Sequence, residues 1–151
     1  GWSNSQDRVS DLPVELMDIM PTILDACGAR VPANVDGASL LPITRGQKPK
    51  KWRMYIHGEH AVGERSTHYI TDGKSKYIWF SQTGCEQYFD LQNDPQELHD
   101  LAADSAYRKD VARLREYLIR ELEGREEGYS DGHRLIQDRP PRKTLSFLEK
   151  K

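Results

Sequence analysis

Runs in which apolar and polar residues alternate constrain the fold of this chain more than any other feature of its sequence. Alternation places successive side chains on opposite faces of an extended strand. Two such runs, residues 54–57 and 76–80, are predicted to be strands, and the turns beside the second run predict further strands at residues 68–71 and 86–91. The dipeptide Asp72-Gly73 suits a two-residue type I′ turn, so residues 68–71 should pair with residues 75–78. The sequence therefore predicts an antiparallel sheet of about four strands.

A helical periodicity follows the predicted strands. Apolar side chains recur at steps of three and four and form one stripe: Tyr107, Val111, Leu114, Leu118 and Leu122. This stripe predicts a long helix over residues 105–123 that packs on the sheet. The charged residues of the same segment lie mostly away from the stripe and are interpreted as a solvated face, with Glu116 and Arg120 forming an i,i+4 pair. The predicted fold class is therefore α+β.

The sequence ahead of the sheet predicts a short strand followed by a helix. Residues 14–17 can form the strand. Asp18 should cap the helix with its carboxylate, and Pro21 falls in the first turn, where an amide donor is not needed. Gly28 supplies a left-handed stop. The helix is short and apolar on one face, so we expect it to be mostly buried.

Glycine and proline mark the remaining segments. Residues 29–52 contain enough of both to break any periodicity, which predicts a connector. Asp94 and Pro95 should open a new helical turn, with Asp94 as its cap and Glu97 able to complete a capping box. Beyond Gly124 the pattern predicts an extended tail.

Composition excludes several classes of protein. The 151 residues suffice for one hydrophobic core, and a net charge of −2, with cationic and anionic residues interspersed, gives no sign of a nucleic-acid partner. No apolar run approaches the roughly 20 residues that span a bilayer. Cys27 and Cys85 belong to no zinc or redox motif. They are interpreted as small buried side chains, with a disulfide between them left open.

Four blocks of the sequence resemble, in order and spacing, the C-terminal portion of type I sulfatases. Residues 14–28 read Val-Glu-Leu-Met-Asp-Ile-Met-Pro-Thr-Ile-Leu-Asp-Ala-Cys-Gly, and residues 36–42 read Asp-Gly-Ala-Ser-Leu-Leu-Pro. Residues 73–78 read Gly-Lys-Ser-Lys-Tyr-Ile, and residues 90–101 read Asp-Leu-Gln-Asn-Asp-Pro-Gln-Glu-Leu-His-Asp-Leu. The resemblance covers the chain as far as the predicted long helix.

The resemblance implies that the chain is the downstream part of an arylsulfatase of the alkaline-phosphatase-like superfamily. Residues 1–52 would close the α/β catalytic domain and border it, residues 53–124 would form the C-terminal subdomain, and residues 125–151 would form an extended tail. The parent enzyme would need calcium and a formylglycine made from the cysteine of a Cys-x-Pro-x-Arg motif. Neither cysteine of this chain stands in that motif. The resemblance therefore places no catalytic residue and no cofactor in this chain and predicts that the chain alone is inactive.

The densest group of polar side chains supplies the candidate site: His57, Glu59, His60, Arg65 and His68. Strand alternation puts His57 and Glu59 on one face. By analogy with the sulfatases it resembles, this group would form the rim of a pocket for a sulfated substrate, since Arg offers a forked pair of donors to an oxyanion. A purely structural role for these side chains stays open. His57 and His60 fall on opposite faces of a strand, so no metal site is predicted.

Two classes of function remain. In the first, the chain partners a preceding catalytic domain in an enzyme that hydrolyses sulfate esters of a carbohydrate or an aryl compound. A variant of that class replaces the sulfate with a phosphate or phosphonate. In the second, the chain is a self-standing binding domain. No nucleic-acid partner and no membrane span are expected, and the resemblance favours an extracytoplasmic location, either periplasmic or secreted.

Overall fold

The computed structural model of the protein describes residues 9–47, 49, 51–60 and 63–140. Residues 141–151 of the predicted tail lie outside this range. The chain divides into two compact units, residues 1–56 and residues 57–151, and each is described by itself. No helix in the described ranges has the length and apolar character needed to cross a membrane.

Two acidic side chains set the start of the first helix. A 3₁₀ turn at Leu16–Asp18 leads into α1 (Ile19–Ala26). Glu15 and Asp18 each accept a hydrogen bond from the other's backbone amide, and this reciprocal pair closes a turn. The predicted strand over residues 14–17 is therefore wrong. The prediction that Asp18 caps α1 with its carboxylate is also wrong, because that carboxylate is used elsewhere.

The carboxylate of Asp18 is the polar centre of the first unit and has no solvent exposure. The backbone amides of Glu15 and Ala38 each donate to it at 2.8 Å. The Arg53 guanidinium donates to both of its oxygens and also pairs with Glu15 at 3.2 Å. The hydrogen bonds from Arg53 lower the pKa of Asp18 to about 2. One charged group thus joins three distant segments of the chain.

Helix α1 exposes most of its apolar face. Ile19, Met20 and Ile23 are 49%, 46% and 57% exposed. The opposite side of the helix contacts the segment that follows it, since Thr22 Oγ1 accepts a hydrogen bond from the amide of Leu40 at 2.9 Å. The segment that follows ends in a four-residue helix, α2 (Leu41–Thr44), inside the predicted connector. The prediction that α1 is mostly buried is wrong, whereas Gly28 has the left-handed φ of +70° predicted for a helix stop.

The second unit is built on an antiparallel sheet, as predicted. Its strands, in spatial order, are β1 (Ile56–His60), β2 (Thr67–Thr71), β3 (Ser75–Phe80) and β4 (Glu86–Asp90). Strand β1 begins two residues later than the sequence predicts. Because all neighbours in the sheet are also neighbours in sequence, short connections are enough to build it.

The β2–β3 hairpin differs from the predicted register by one residue. Thr71 pairs with Lys76, so Gly73 and Lys74 form its tip in place of Asp72 and Gly73. The carboxylate of Asp72 accepts from the amide of Lys74 at 3.0 Å, which keeps Asp72 on the strand side of the turn. Gly73 takes the positive φ, +83°, that the turn requires.

The long helix, α3 (Arg108–Glu121), follows a 3₁₀ turn at Ser105–Tyr107 and packs on β2 and β3. The predicted apolar stripe is confirmed, since four of its members are at most 4% exposed: Val111, Leu114, Leu118 and Leu122. Tyr77 and Trp79 lie in the same core, at 0% and 2% exposure. Burial of this stripe against the sheet is the main apolar contact of the unit.

Two charged side chains of α3, Arg113 and Arg115, bind carboxylates of the sheet and its β2–β3 turn. Arg115 donates through Nε to Glu86 at 2.6 Å, and the hydroxyl of Tyr77 donates to the same carboxylate at 2.7 Å. Arg113 donates through Nη1 to Asp72 at 2.9 Å. The interpretation of the helix charges as a solvated face is therefore wrong for Arg113 and Arg115. It holds for Glu116 and Arg120, which form the predicted i,i+4 pair at 2.9 Å.

The segment after β4 turns without opening a helix. Glu97 has a left-handed φ of +56°, which ends any helical turn that starts at Asp94. The side chain of Glu97 binds Lys76 Nζ at 2.8 Å, and Asp94 Oδ2 accepts from the amide of His99 at 2.8 Å. The predicted helical turn and its capping box are therefore wrong.

Both cysteines are free and exposed. Cys27 follows the last residue of α1, and Cys85 precedes the first residue of β4. The interpretation of these cysteines as buried side chains is wrong, and the disulfide that was left open is not formed.

Residues beyond Gly124 contribute to the second unit. Tyr129 is 2% exposed. The hydroxyl of Ser130 donates to the carbonyl of Ile119 at 2.7 Å, and the amide of Ile136 donates to the carbonyl of Tyr129 at 2.8 Å. This part of the chain therefore supplies an aromatic side chain to the core and hydrogen bonds to the end of α3.

Candidate functional site

Strands β1 and β2 bring together three of the five candidate residues. His57 and Glu59 are two positions apart on β1, and His68 lies on the neighbouring strand. One nitrogen or oxygen atom from each lies within 4.8 Å of those of the other two. We call this group the His57–Glu59–His68 cluster. The pairing of His57 with Glu59 follows from strand alternation, whereas their approach to His68 depends on the pairing of two strands.

The other two candidates lie away from this cluster. His60 ends β1 and is exposed, and alternation places it on the opposite face from His57. Arg65 ends the 3₁₀ turn Gly63–Arg65 between β1 and β2 and is also exposed. Both side chains are therefore accessible for contact with a molecule in solution.

The two imidazoles of the cluster meet edge to edge. Nε2 of His57 lies 3.3 Å from Nδ1 of His68, the ring planes are within 7° of parallel, and the ring centroids are 5.5 Å apart. The centroid separation exceeds the nitrogen separation by about two ring radii, so the two nitrogens lie between the rings. The lone pair or proton of each nitrogen therefore points towards the other.

Glu59 is held by a cation from the segment after α3. Arg125 contacts the Glu59 carboxylate at 2.8 Å and 3.1 Å, one guanidinium nitrogen to each oxygen. Oε2 of Glu59 lies 3.6 Å from Nδ1 of His68. Desolvation raises the pKa of Glu59, but the hydrogen bond and charge of Arg125 outweigh it, so this pKa lies below its ordinary value. The carboxylate is therefore ionised beside the imidazoles.

His68 lies against an aromatic wall. Its side chain is 2% exposed, and its ring centroid is 5.2 Å from that of Tyr129, edge to face, and 5.9 Å from that of Trp79. Among the residues that the structure describes, its Nε2 has no hydrogen-bond partner. An unpartnered nitrogen in an apolar wall disfavours a charged ring.

Both histidines are shifted towards the uncharged form. Burial, with a smaller contribution from the nearby His57, lowers the pKa of His68 to about 4, against the opposing charge of Glu59. Burial also lowers the pKa of His57, against the charges of Glu121 and Glu59. At neutral pH the cluster therefore offers imidazole lone pairs and a carboxylate, which suits hydrogen-bond donors and cations as ligands.

Two members of the surroundings could not be predicted from the sequence. Arg125 and Tyr129 follow the helix in a stretch without periodicity, and no local pattern indicates that they reach the sheet. Glu121, whose Oε1 lies 4.0 Å from Nδ1 of His57, lies in the segment that the sequence predicts to be helical, and no pattern assigns it to the site. Alternation predicts which residues of one strand share a face, but it does not predict contacts from a segment that packs back on the sheet after the helix.

Comparisons with known proteins identify the family. Residues 3–124 match the family described as "N-sulphoglucosamine sulphohydrolase, C-terminal". The chain is 50% identical over 133 residues to an arylsulfatase of Clostridium perfringens, covering 88% of this chain and 27% of that protein. It is 33% identical over 106 residues to a Delta 4,5-hexuronate-2-O-sulfatase of Bacteroides thetaiotaomicron, covering 68% of this chain and 22% of that protein.

A solved structure agrees with this relationship. The fold is similar to that of a phosphonate monoester hydrolase from Silicibacter pomeroyi, with a TM-score of 0.62 and 29% identity over 74% of this chain and 25% of that one. The chain thus spans about a quarter of the length of the relatives it matches. The chain belongs to the N-sulphoglucosamine sulphohydrolase C-terminal family, the C-terminal region of sulfatases in the arylsulfatase family of the alkaline phosphatase superfamily.

Proposed function

We propose that this chain is the C-terminal region of a hydrolase of sulfate esters and that it supports a catalytic domain that lies in the preceding part of the protein. The observation that carries this proposal is the match of residues 3–124 to a C-terminal sulfatase family, and the matched part is 27% of the arylsulfatase relative. The arylsulfatase relative is half identical in the matched part, which supports the same class of reaction.

The exposed face of α1 supports a docking role for the first unit. Leu16 is 86% exposed, and Ile19 and Ile23 are about half exposed, on a helix whose other side is hydrogen-bonded. Burial of apolar area of this kind stabilises an interface by about 25 cal/mol per Å². In this proposal the face packs on the catalytic domain.

The residues of this chain do not fit the cofactors of the reaction. Neither Cys27 nor Cys85 stands in a Cys-x-Pro-x-Arg motif, and Cys27 is followed by Gly28-Ala29-Arg30. Formylglycine and the calcium that accompanies it would therefore belong to the preceding part of the protein. The chain alone is expected to be inactive, and an extracytoplasmic location is expected for the whole protein.

In this proposal the segment from His57 to His68 borders the substrate pocket. His60 and Arg65 are exposed and can contact a sulfated sugar, with Arg65 offering a forked pair of donors to the sulfate or to a carboxylate. His57 and Glu59 are partly accessible and hold the strand that presents His60. His68 is buried, so in this proposal it does not touch the substrate but contacts His57 and Glu59. The relative named for a hexuronate 2-O-sulfate supports a carbohydrate substrate.

The experiment compares two substrates of the longer protein that carries this chain. His60→Ala and Arg65→Ala should each raise KM for the sulfated sugar about tenfold and change KM for a small aryl sulfate by less than twofold. The aryl sulfate lacks the groups that a rim would bind. Arg30→Ala, on an exposed residue of the other unit, is the control. Equal effects on both substrates would contradict the rim.

A second candidate function has one observation in its favour. The fold similarity to a phosphonate monoester hydrolase supports a variant in which the longer protein acts at phosphorus. Hydrolysis of a phosphonate monoester by the longer protein, at a kcat/KM above that for an aryl sulfate, would favour this second candidate. The reverse order would favour the sulfatase. Absence of both activities would favour a self-standing binding domain.

A further inference from the structure

We propose that His57, Glu59 and His68 form a binding site for one divalent cation of the zinc class. The site is separate from the proposed substrate contacts of His60 and Arg65, and nothing in it requires the hydrolase activity. It is carried by the geometry of three donor atoms on two neighbouring strands.

The separations of the donor atoms fit a tetrahedral ion. Zinc binds nitrogen and oxygen ligands at about 2.0–2.2 Å, which puts neighbouring ligand atoms about 3.3–3.6 Å apart in a tetrahedron. Nε2 of His57 and Nδ1 of His68 are 3.3 Å apart, and Nδ1 of His68 is 3.6 Å from Oε2 of Glu59. The donor atoms of His57 and Glu59 lie within 4.8 Å of each other. Binding requires each imidazole to turn, so that its nitrogen faces the ion in place of the other nitrogen.

The ligand chemistry also fits. Two imidazoles and one carboxylate are a donor set of zinc and cobalt sites that keep a fourth position open. His57 has a carboxylate behind it, with Glu121 Oε1 at 4.0 Å from Nδ1. This contact is an electrostatic one, longer than a hydrogen bond, and it favours Nε2, on the other side of the ring, as the ligand atom.

The charge of the surroundings matches that of the ion. Three carboxylates and one guanidinium lie at the cluster, on Glu59, Glu121, Glu127 and Arg125. The formal charge of these four side chains is two negative, and one divalent cation neutralises it. Arg125 is the opposing element, because it occupies the Glu59 carboxylate and places a positive charge next to the site.

Because Arg125 competes with the cation for the Glu59 carboxylate, the proposal predicts in which direction a change at Arg125 alters the cation affinity. Removing the guanidinium frees the carboxylate of Glu59 and removes a repulsion, so Arg125→Gln should bind the cation more tightly. A side chain with only a structural role would produce a loss or no change. Glu59→Gln and His57→Gln remove one donor each while keeping similar side-chain volumes.

The experiment is a titration of the 151-residue chain and its variants with Co²⁺, followed by visible absorption, and then displacement by Zn²⁺. We expect one Co²⁺ per chain, the intense bands of four-coordinate cobalt, and displacement by Zn²⁺. His57→Gln and Glu59→Gln should each weaken binding at least tenfold. Arg125→Gln should strengthen it at least threefold. His133→Gln, on an exposed histidine, should leave it unchanged.

Three results would overturn the site. The first is the absence of saturable binding in the unmodified chain. The second is a spectrum of six-coordinate cobalt only, and the third is an equal loss in His133→Gln and His57→Gln. Far-ultraviolet circular dichroism of each variant controls for folding. If Glu59→Gln unfolds, the other two variants still test the site, because His57→Gln should weaken cation binding and Arg125→Gln should strengthen it.

Discussion

Arg53 binds the carboxylate of Asp18 from 35 positions along the chain, with Nη2 donating to Oδ1 at 2.7 Å. The carboxylate has no solvent exposure, and two backbone amides complete its hydrogen bonds. Its folded pKa of about 2 lies below the ordinary value of 3.8. A lowered carboxyl pKa stabilises the folded state above the unfolded pKa and loses that effect as pH falls through the folded value.

The first unit should therefore lose about 2 kcal/mol of stability between pH 4 and pH 2 through Asp18. The measurement is hydrogen exchange at the amides of Glu15 and Ala38, which donate to this carboxylate, corrected for intrinsic rates. Asp18→Asn should remove most of this pH dependence. Asp25→Asn, on the same helix and bonded to Ser39, is the control. Protection that stays constant down to pH 2 would contradict the assigned role of Asp18.

Glu86 joins the long helix to the sheet. Glu86→Ala should destabilise the second unit by about 1–3 kcal/mol, because the hydroxyl of Tyr77, which is fully buried, loses its acceptor and Arg115 loses its partner. Glu116→Ala breaks an exposed pair with Arg120 and should cost less than about 0.5 kcal/mol. Urea unfolding measures both values. Similar losses in the two variants would mean that Glu86 adds nothing beyond surface electrostatics.

Gly58 separates His57 from Glu59 and lies under an aromatic ring. A Cβ at this position would overlap the ring of Tyr69. Gly58→Ala should therefore destabilise the unit by about 1–3 kcal/mol through overpacking. In the background of Tyr69→Leu the same change should cost less than about 1 kcal/mol, because the overlapping atoms are gone. Urea unfolding of the unmodified chain and of the three variants gives the coupling, and additive effects would show that the clash does not govern the cost.

The apolar face of α1 gives a prediction about assembly. In the longer protein, Ile23→Lys should destabilise the fold or reduce activity at least tenfold, since it places a charge in the proposed interface. In the isolated chain the same substitution should change stability by less than about 0.5 kcal/mol, because Ile23 is 57% exposed there. Thermal unfolding of both proteins makes the comparison. An equal effect in both would place the face outside any interface.

Sequence periodicity predicted the elements that bury a repeated apolar pattern. The four strands and the stripe of α3 follow from steps of two and of three to four residues, and they are confirmed. The wrong predictions at Asp18 and Asp72 lie where a side chain accepts hydrogen bonds from backbone amides. Asp18 closes a turn in place of capping a helix, and Asp72 shifts the hairpin by one residue. Such choices depend on partners that are distant in sequence or on competing local hydrogen bonds.

The candidate site was predictable only in part. Alternation placed His57 with Glu59, and the pairing of β1 with β2 brought His68 to them. Arg125 and Tyr129 arrive from residues beyond the helix, where the sequence has no period, so their contacts depend on the tertiary fold. His57 and His60 lie on opposite faces of β1, as alternation predicts, and the histidine that approaches His57 comes from the neighbouring strand.

The most direct test of the account is the release of sulfate from an aryl sulfate by three proteins at equal concentration. These are the longer protein that carries this chain, the same protein lacking the residues that correspond to it, and the 151-residue chain alone. The account predicts turnover by the first protein and none by the other two. Turnover by the isolated chain, or undiminished turnover without it, would contradict the proposal that this region supports a catalytic domain in the preceding part of the protein.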